Sequence, residues 1–212
     1  MFHYLRHLTL GYVKTHIVAY FFLFLVFLIG IVVGALAVKT LPDEQKSELI
    51  SYLRLFFQGI TNNDGTHNSM DIVQSALYGN LKAIGLIWLL GFTVIGMPIV
   101  FFILFTRGFV IGFTVGFLVN EYLVKGLAFA LVSVLPHNFI AVPALITGSV
   151  AAVTFSMHII KSSQRKTGFL PQTLQYTLVC IVCSLFMIIA SFIESMISPV
   201  FMKMVVTGIF VP

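Results

Sequence analysis

Long windows without a charged side chain constrain this sequence more than any other feature. Ile17 to Val38 is a window of 22 uncharged residues, and similar windows recur along the chain as far as Ile193. A helix that rises about 1.5 Å per residue needs roughly 20 apolar residues to cross about 30 Å of hydrocarbon. With 59% hydrophobic and 9% charged residues, the chain has too little polar surface to cover a water-soluble globule. The sequence therefore predicts an all-α integral membrane protein whose surroundings are a lipid bilayer.

The windows predict one polytopic membrane domain over residues 1–212. None of them alternates like the strand of a membrane barrel, so we expect a bundle of five transmembrane helices. The first window is too long for a signal peptide, whose apolar core has about 7–15 residues, and is interpreted as an uncleaved anchor. The predicted spans are 17–38, 83–106, 108–124, 138–160 and 174–193, with an outer segment at 39–82.

Basic residues in the short segments between spans predict the orientation, because Lys and Arg accumulate in cytoplasmic loops. They occur before the first span, at Arg107, and in the cluster Lys161, Arg165 and Lys166. This pattern predicts a cytoplasmic N-terminus and an extracytoplasmic C-terminus. The net charge of +5 is thus a topology signal. Nucleic acid is not an expected partner, since no basic patch with interleaved aromatics is present.

The outer segment contains an amphipathic pattern. A helix start at Thr40 to Asp43 precedes apolar residues at helical spacing, and the opposite face carries Glu44, Lys46, Glu48 and Ser51. We expect this helix to lie on the outer membrane surface or against the bundle. Its alternative role is a docking face for an extracellular partner, for which the candidates are Leu49, Leu53, Phe56 and Phe57.

Two ridges of small residues predict close helix packing. Gly108, Gly112 and Gly116 repeat at four-residue spacing, and small residues let membrane helices approach closely. The fourth span has a matching ridge, so we expect the two ridges to pack together within one chain. A self-association face, which would make a homodimer, is the alternative. The matching ridge consists of Ala144, Gly148, Ala152 and Ser156.

Two prolines predict a broken helix. Pro136 lacks a backbone donor, Pro143 follows within seven residues, and broken backbone at membrane depth must be satisfied by protein or water. We expect residues 126–135 to form a short re-entrant or interfacial half-helix near the outer face. His137 and Asn138 would then bond the freed backbone groups or contact a ligand or partner. Before this half-helix, Glu121 and Lys125 stand four residues apart and are predicted to pair at the membrane boundary.

No catalytic or cofactor motif is recognisable in the sequence. A zinc-protease helix, a phosphate-binding loop and a dinucleotide fingerprint are all missing. Cys180 and Cys183 have C-x-x-C spacing, but they are the only cysteines and lie in an apolar window, so they are interpreted as small hydrophobic residues. His3 and His7 alone make a weak metal site. We therefore expect a protein that is not an enzyme and that has no cofactor and no metal.

Three motifs together resemble the stage II sporulation protein M family. They are Gly108-Phe109-x-x-Gly112-Phe113-x-x-Gly116-Phe117, Ser133-Val134-Leu135-Pro136-His137-Asn138 and Val142-Pro143-Ala144. The resemblance covers essentially the whole chain. Broader relatives carry a glycine after the histidine and a glutamate before the second proline, whereas this chain has Asn138 and Ala141. That departure argues against an intramembrane acid and base pair.

The resemblance implies a role in engulfment during endospore formation. It implies a membrane scaffold at the sporulation septum and engulfing membrane, which recruits two peptidoglycan hydrolases for peptidoglycan remodelling in a protein complex. One partner would be an amidase/endopeptidase and the other a lytic transglycosylase.

A small-solute transporter or channel is the competing class, because such proteins place ionisable groups and broken helices near the bilayer midplane. Glu121, Lys125, His137 and Pro136 are the candidates for that role. Burial of Glu121 at the midplane favours transport, and a position at the outer boundary favours the scaffold. An intramembrane protease is a third class, but the sequence lacks paired carboxylates at depth.

Overall fold

The computed structural model describes residues 16–62, 69–162, 169–197 and 200, and for residues 56–72 and 161–169 it describes no side chain. The secondary structure of the described part is helical, with short turns between helices and no strand. This confirms the all-α prediction. The helices are α1 (Ile17–Ala37), α2 (Asp43–Asn62), α3 (Ser69–Gly91), α4 (Gly96–Ser162) and α5 (Phe169–Phe192), with a 3-10 turn at Val38–Thr40 and a π-turn at Ile193–Ile197.

The long helix α4 folds back on itself at Leu123. This residue has φ 51° and ψ −126°, so it divides α4 into a first arm, residues 96–122, and a second arm, residues 124–162. The far end of the second arm returns to the start of the first, where Ser156 Oγ donates to the Thr93 carbonyl at 2.9 Å. Near the fold, Phe129 packs with Leu118. The two arms are therefore antiparallel, and we call residues 121–126 the hairpin tip.

A tight turn over residues 92–95 separates α3 from α4 at the opposite end of the bundle, which we call the turn end. Thr93 Oγ1 donates to the Leu90 carbonyl at 3.0 Å, and a Cβ on Gly96 would collide with that carbonyl. Pro98 lies in the first turn of α4, a position that tolerates its missing donor. The predicted span 83–106 is consequently wrong as a single helix. No link exists at Arg107 either, because the first arm is continuous there.

Helix α1 runs parallel to the first arm and in backbone contact with it. A Cβ on Gly108 would meet the Phe27 carbonyl, one on Gly112 would meet the Ile31 carbonyl, and one on Gly116 would lie 2.9 Å from the Ala35 Cα. The α1 residues that the three glycines meet are also spaced four apart along the sequence. The ridge therefore packs on α1, which is not the partner that its sequence spacing suggested.

The close contact is reciprocal. A Cβ on Gly30 would meet the Phe105 carbonyl, and one on Gly34 would meet the Phe109 carbonyl. On the first arm, Phe109 and Phe113 stack with ring centroids 6.1 Å apart. Two helices that both present glycine can approach until their backbones touch, which is how membrane helices associate without a hydrophobic drive. A homodimer remains a prediction, and it would have to use a face other than these glycines.

The small residues of the second arm face α3 and α5. A Cβ on Gly148 would lie 2.6 Å from Ile84 Cδ1 and 4.0 Å from Cys183 Sγ. Ala144 and Ala152 are buried in the same core, and the Ala152 Cα lies 3.1 Å from where Gly91 would carry a Cβ. The predicted pairing of this ridge with the Gly108 ridge is therefore wrong. Small residues predicted close packing correctly, but spacing could not identify which helix each ridge faces.

The second arm continues through both prolines. Residues 126–135, predicted as a separate half-helix, are its first turns, and Pro136 and Pro143 lie inside it. Side-chain donors bond carbonyls beside the prolines: Asn138 Nδ2 donates to the Val134 carbonyl at 2.8 Å, and Thr147 Oγ1 to the Pro143 carbonyl at 2.8 Å. Packing of Ala141, Ala144 and Leu145 in the core holds the helix together through this region. The break predicted at Pro136 is thus found at Leu123.

Three of the described helices are long and apolar enough to cross a membrane, over Ile17–Thr40, Gly96–Ile160 and Leu170–Met196. The second of these contains the fold at Leu123, so each arm of α4 can cross separately. Five crossings remain a prediction. Helix α5 is antiparallel to α3, since Tyr176 bonds the Ile87 carbonyl at the turn end and Ser191 bonds the Ala76 carbonyl toward the tip.

Candidate functional site

A hydrogen-bonded polar group lies inside the bundle. Arg107 Nη2 donates to Asn80 Oδ1 at 3.1 Å, and Asn80 Nδ2 donates to Ser191 Oγ at 3.0 Å. Ser191 donates in turn to the Met187 carbonyl at 2.9 Å. Asn80 is 2% exposed and Ser191 is fully buried, so these bonds form away from solvent. The chain of bonds ties α3, the first arm of α4 and α5 together.

A carboxylate and an imidazole interact electrostatically with the same guanidinium. Glu194, in the π-turn that follows α5, is close enough to interact electrostatically with both Arg107 and His137. A π-turn at the end of a helix often marks a functional position. We call Asn80, Arg107, His137, Asn138, Ser191 and Glu194 the polar centre. It draws on α3, both arms of α4 and the end of α5.

The polar centre lies well inside the length of the bundle. Arg107 is 11 residues from Gly96 and 16 from Leu123, so along the first arm it is ~16 Å from the turn end and ~24 Å from the tip. A half-buried guanidinium at such depth needs compensation, and Asn80 and Glu194 supply it. Ionisable groups at membrane depth are rare and usually functional. The polar centre is therefore the strongest candidate site within the bundle.

The sequence interpretation missed this site because it assigned Arg107 to a loop. Arg107 is the only charged residue between Ala83 and Asn120, and nothing around it breaks a helix. The turn signal is found earlier, in Gly96 and Pro98. A lone charge inside so long an apolar window indicates an internal partner. Glu194, at the edge of the last window, was the available carboxylate.

Glu121 lies at the hairpin tip and not at the depth of the polar centre. Its Oε1 is 2.8 Å from Lys46 Nζ, with side-chain exposures of 16% and 33% respectively. Asn120 Nδ2 also donates to Glu121 at 3.0 Å. The carboxylate thus anchors the start of α2 to the tip, a partnership that local spacing did not predict. The predicted pairing of Glu121 with Lys125 remains a prediction.

Helix α2 was predicted as the amphipathic outer helix, and the structure confirms a helix there. Leu53 packs against the buried cluster of Leu118, Phe129 and Ala130 beside the tip, so it faces inward, and Leu49 is half-buried. The side chains of Phe56 and Phe57 lie outside the described part of the structure. Lys46 also faces inward, contrary to its predicted place on the polar face. The outward face instead consists of Glu44, Glu48, Ser51, Tyr52 and Leu55.

The remaining candidate residues provide no metal site within the described part of the chain. Cys180 and Cys183 are free and buried at 3% exposure each, in agreement with their interpretation as core residues. No group of three or more His, Cys, Asp or Glu side chains is arranged to hold a metal ion there. His3 and His7 fall outside the described residues.

Comparison with known proteins gives one match. The sequence model of the family described as stage II sporulation protein M matches residues 23–199. This range includes most of α1, and all of the hairpin, the polar centre and both proline motifs. No curated protein and no solved structure matches the chain.

Proposed function

Because the chain belongs to the stage II sporulation protein M family, a family of sporulation membrane proteins, we propose that it is a non-enzymatic scaffold. The scaffold recruits two peptidoglycan hydrolases, an amidase/endopeptidase and a lytic transglycosylase, to the septal membrane for engulfment. The family resemblance supplies the identity of these partners. The geometry of the outer helix supports a docking role.

The observation that carries the proposal is that only one face of α2 packs against the rest of the protein. Lys46 and Leu53 hold one face of the helix against the hairpin tip, and the opposite face is left open. On that open face Tyr52 is 62% exposed and Leu55 is 64% exposed. An aromatic and an aliphatic side chain surrounded by polar residues are typical of the centre of a docking surface. The docking face is therefore Tyr52 and Leu55 and not the predicted Leu49 and Leu53.

Co-purification from solubilised sporangial membranes tests the proposal. The tagged protein is expected to bring down both hydrolases, identified by mass spectrometry. Leu55→Asp should reduce their recovery, because the substitution places a charge at the centre of the docking face. Ile95→Asp is the matched control, since Ile95 is 78% exposed at the turn end and far from α2. Normal recovery with Leu55→Asp, or repeated absence of both hydrolases, argues against docking through α2.

Docking to extracytoplasmic hydrolases requires the tip end to face the cell wall. The N-terminus of α1 and the end of α4 both lie at the turn end, and the basic clusters that flank them favour the cytoplasm. A reporter active only in the cytoplasm should therefore give signal when inserted between Val94 and Ile95. The same reporter at the C-terminus should be silent. The reverse pattern contradicts the orientation.

A small-solute transporter or channel is the second candidate, and the polar centre favours it. Arg107, His137 and Glu194 are ionisable groups at depth, as in transport pathways. The position of Glu121 at the tip favours the scaffold instead, because this carboxylate pairs with α2. Electrical recordings on the purified protein in planar bilayers separate the two. A conductance that is lost with Arg107→Gln but kept with Ile95→Asp supports transport. A protein that shows no conductance and still recruits both hydrolases supports the scaffold.

A further inference from the structure

Hydrogen bonding assigns the tautomer of His137. The amide nitrogen of Asn138 has two N–H donors, and it lies 2.8 Å from the Val134 carbonyl and 2.9 Å from His137 Nε2. The carbonyl can only accept, so it fixes the orientation of the amide, and the second N–H then points at Nε2. A neutral ring whose Nε2 accepts carries its proton on Nδ1. His137 therefore presents Nδ1 as a donor.

Two buried atoms of this pair have no hydrogen-bond partner within the described residues. They are His137 Nδ1 and Asn138 Oδ1, one a donor and the other an acceptor. The backbone of Ser133 also approaches the His137 ring, but Nδ1 has no partner at hydrogen-bond geometry. Buried polar atoms in native proteins are nearly always bonded, to protein or to ordered water. A donor and an acceptor left together in this way match what a water molecule needs.

The charged groups of the polar centre are also spaced apart. Arg107 and Glu194 interact electrostatically, yet the described residues contain no contact between them within the 4.0 Å of an ion pair. A guanidinium has five N–H donors, and here its side-chain bond goes to Asn80. Both Arg107 and Glu194 are half-buried, so neither is sealed inside dry protein. Arg107 and Glu194 therefore interact electrostatically without a direct bond between them.

We propose that water bonds the unpartnered His137 Nδ1 and Asn138 Oδ1, so that the polar centre is a hydrated site at membrane depth that links Glu194 to Arg107 and His137. A buried water needs about two to four polar partners, and the site offers spare guanidinium N–H groups, Nδ1–H, an amide oxygen and a carboxylate. Water in the site also lowers the energetic penalty of holding charges inside the bundle. This inference does not depend on hydrolase docking, because it concerns side chains remote from α2.

Cysteine accessibility tests the hydration directly. Thiols react with methanethiosulfonates as thiolates, which form in water and not in dry protein or hydrocarbon. The background is the full chain with Cys180→Ala and Cys183→Ala, reconstituted in nanodiscs, and the probe is a methanethiosulfonate that carries a quaternary ammonium. Asn138→Cys should react about tenfold faster than two controls, Val150→Cys in the dry core and Phe139→Cys on the outer face of the same helix. Ser51→Cys on α2 provides the reactive reference.

A further measurement connects the reactivity to Glu194. In the Asn138→Cys background, Glu194→Gln should slow the cationic reagent relative to a sulfonate-bearing anionic one, because it removes the negative charge that attracts the cation. Ser195→Cys, next to Glu194, serves as a second reporter if Asn138→Cys does not fold. Rates at both reporters equal to that of Val150→Cys overturn the proposal. An unchanged ratio of cationic to anionic rates overturns the placement of Glu194 in the same site.

Discussion

Lys46 Nζ lies 2.8 Å from Glu121 Oε1 and so joins the start of the outer helix to the hairpin tip. The two residues are 75 positions apart in the sequence. The pair is partly buried, and Leu53 packs on the same tip. The seating of α2, on which the proposed docking role depends, thus rests on one ion pair and a small apolar contact.

Charge reversal tests how this ion pair seats α2. Lys46→Glu should increase hydrogen exchange over residues 43–55, because a like charge then faces Glu121. The loss is on the order of 1 kcal/mol, since the pair is partly exposed. The double variant Lys46→Glu with Glu121→Lys should restore protection. Glu48→Lys on the outward face is the control, and equal exchange in Lys46→Glu and this control would contradict a seating role.

Glycine contacts between α1 and the first arm make a prediction about stability. Gly112→Ala should lower the melting temperature in detergent strongly, because its Cβ would enter the Ile31 backbone. The expected loss is at least about 1–3 kcal/mol, the usual range for overpacking. Gly85→Ala is the matched control. Beyond the backbone of its own helix turn, no atom lies within 4 Å of a Cβ at Gly85, so this variant should be neutral or slightly stabilising. Similar melting of both variants would refute close backbone packing at Gly112.

Coupling between Arg107 and Glu194 is measurable with a double-mutant cycle. Removing either charge leaves the other half-buried charge uncompensated, so each single variant, Arg107→Gln or Glu194→Gln, should destabilise the protein. The double variant should be less destabilised than the sum of the singles, by about 0.5–3 kcal/mol. Asn120→Ala at the tip is the control for an unrelated polar change. Strict additivity would mean that the two charges do not compensate each other.

The backbone conformation of Leu123 predicts that a glycine substitution there stabilises the protein. Its φ of 51° lies in the left-handed region, where a side chain other than glycine is strained by about 1–2 kcal/mol. Leu123→Gly should therefore maintain or raise the melting temperature. Val124→Gly is the neighbouring control, since Val124 is equally exposed but helical, and glycine there should cost about 0.5–1 kcal/mol. The opposite ranking of the two variants would show that Leu123 is not strained.

Several features of the fold were predictable because they depend on local sequence. Uncharged windows indicated membrane helices, and the Pro42-Asp43 start indicated α2. The turn before Gly96 was equally predictable from Gly96 and Pro98. It was missed because Arg107 was interpreted as the link between two spans. The continuity of the helix through Pro136 was not readable, because it depends on the packing of the second arm against the core.

The candidate site was less predictable than the fold. His137 and Asn138 were singled out for their place beside a proline, and the structure places His137 near Glu194, a residue the sequence interpretation did not consider. Asn80 and Ser191 carry no motif, and they are 111 residues apart. Only the antiparallel packing of α3 on α5 brings them together.

The sequence by itself determined the membrane class, the outer helix, the close packing of small residues and the family. Each of these follows from the composition or spacing of neighbouring residues, and hydrophobicity and steric size are properties of the chain before it folds. Only the tertiary structure decided that the glycines face α1, that the hairpin turns at Leu123, that Lys46 pairs with Glu121 and that Arg107 is compensated inside the bundle. These relations join residues distant in sequence, and spacing along one helix does not specify which other helix will cover it.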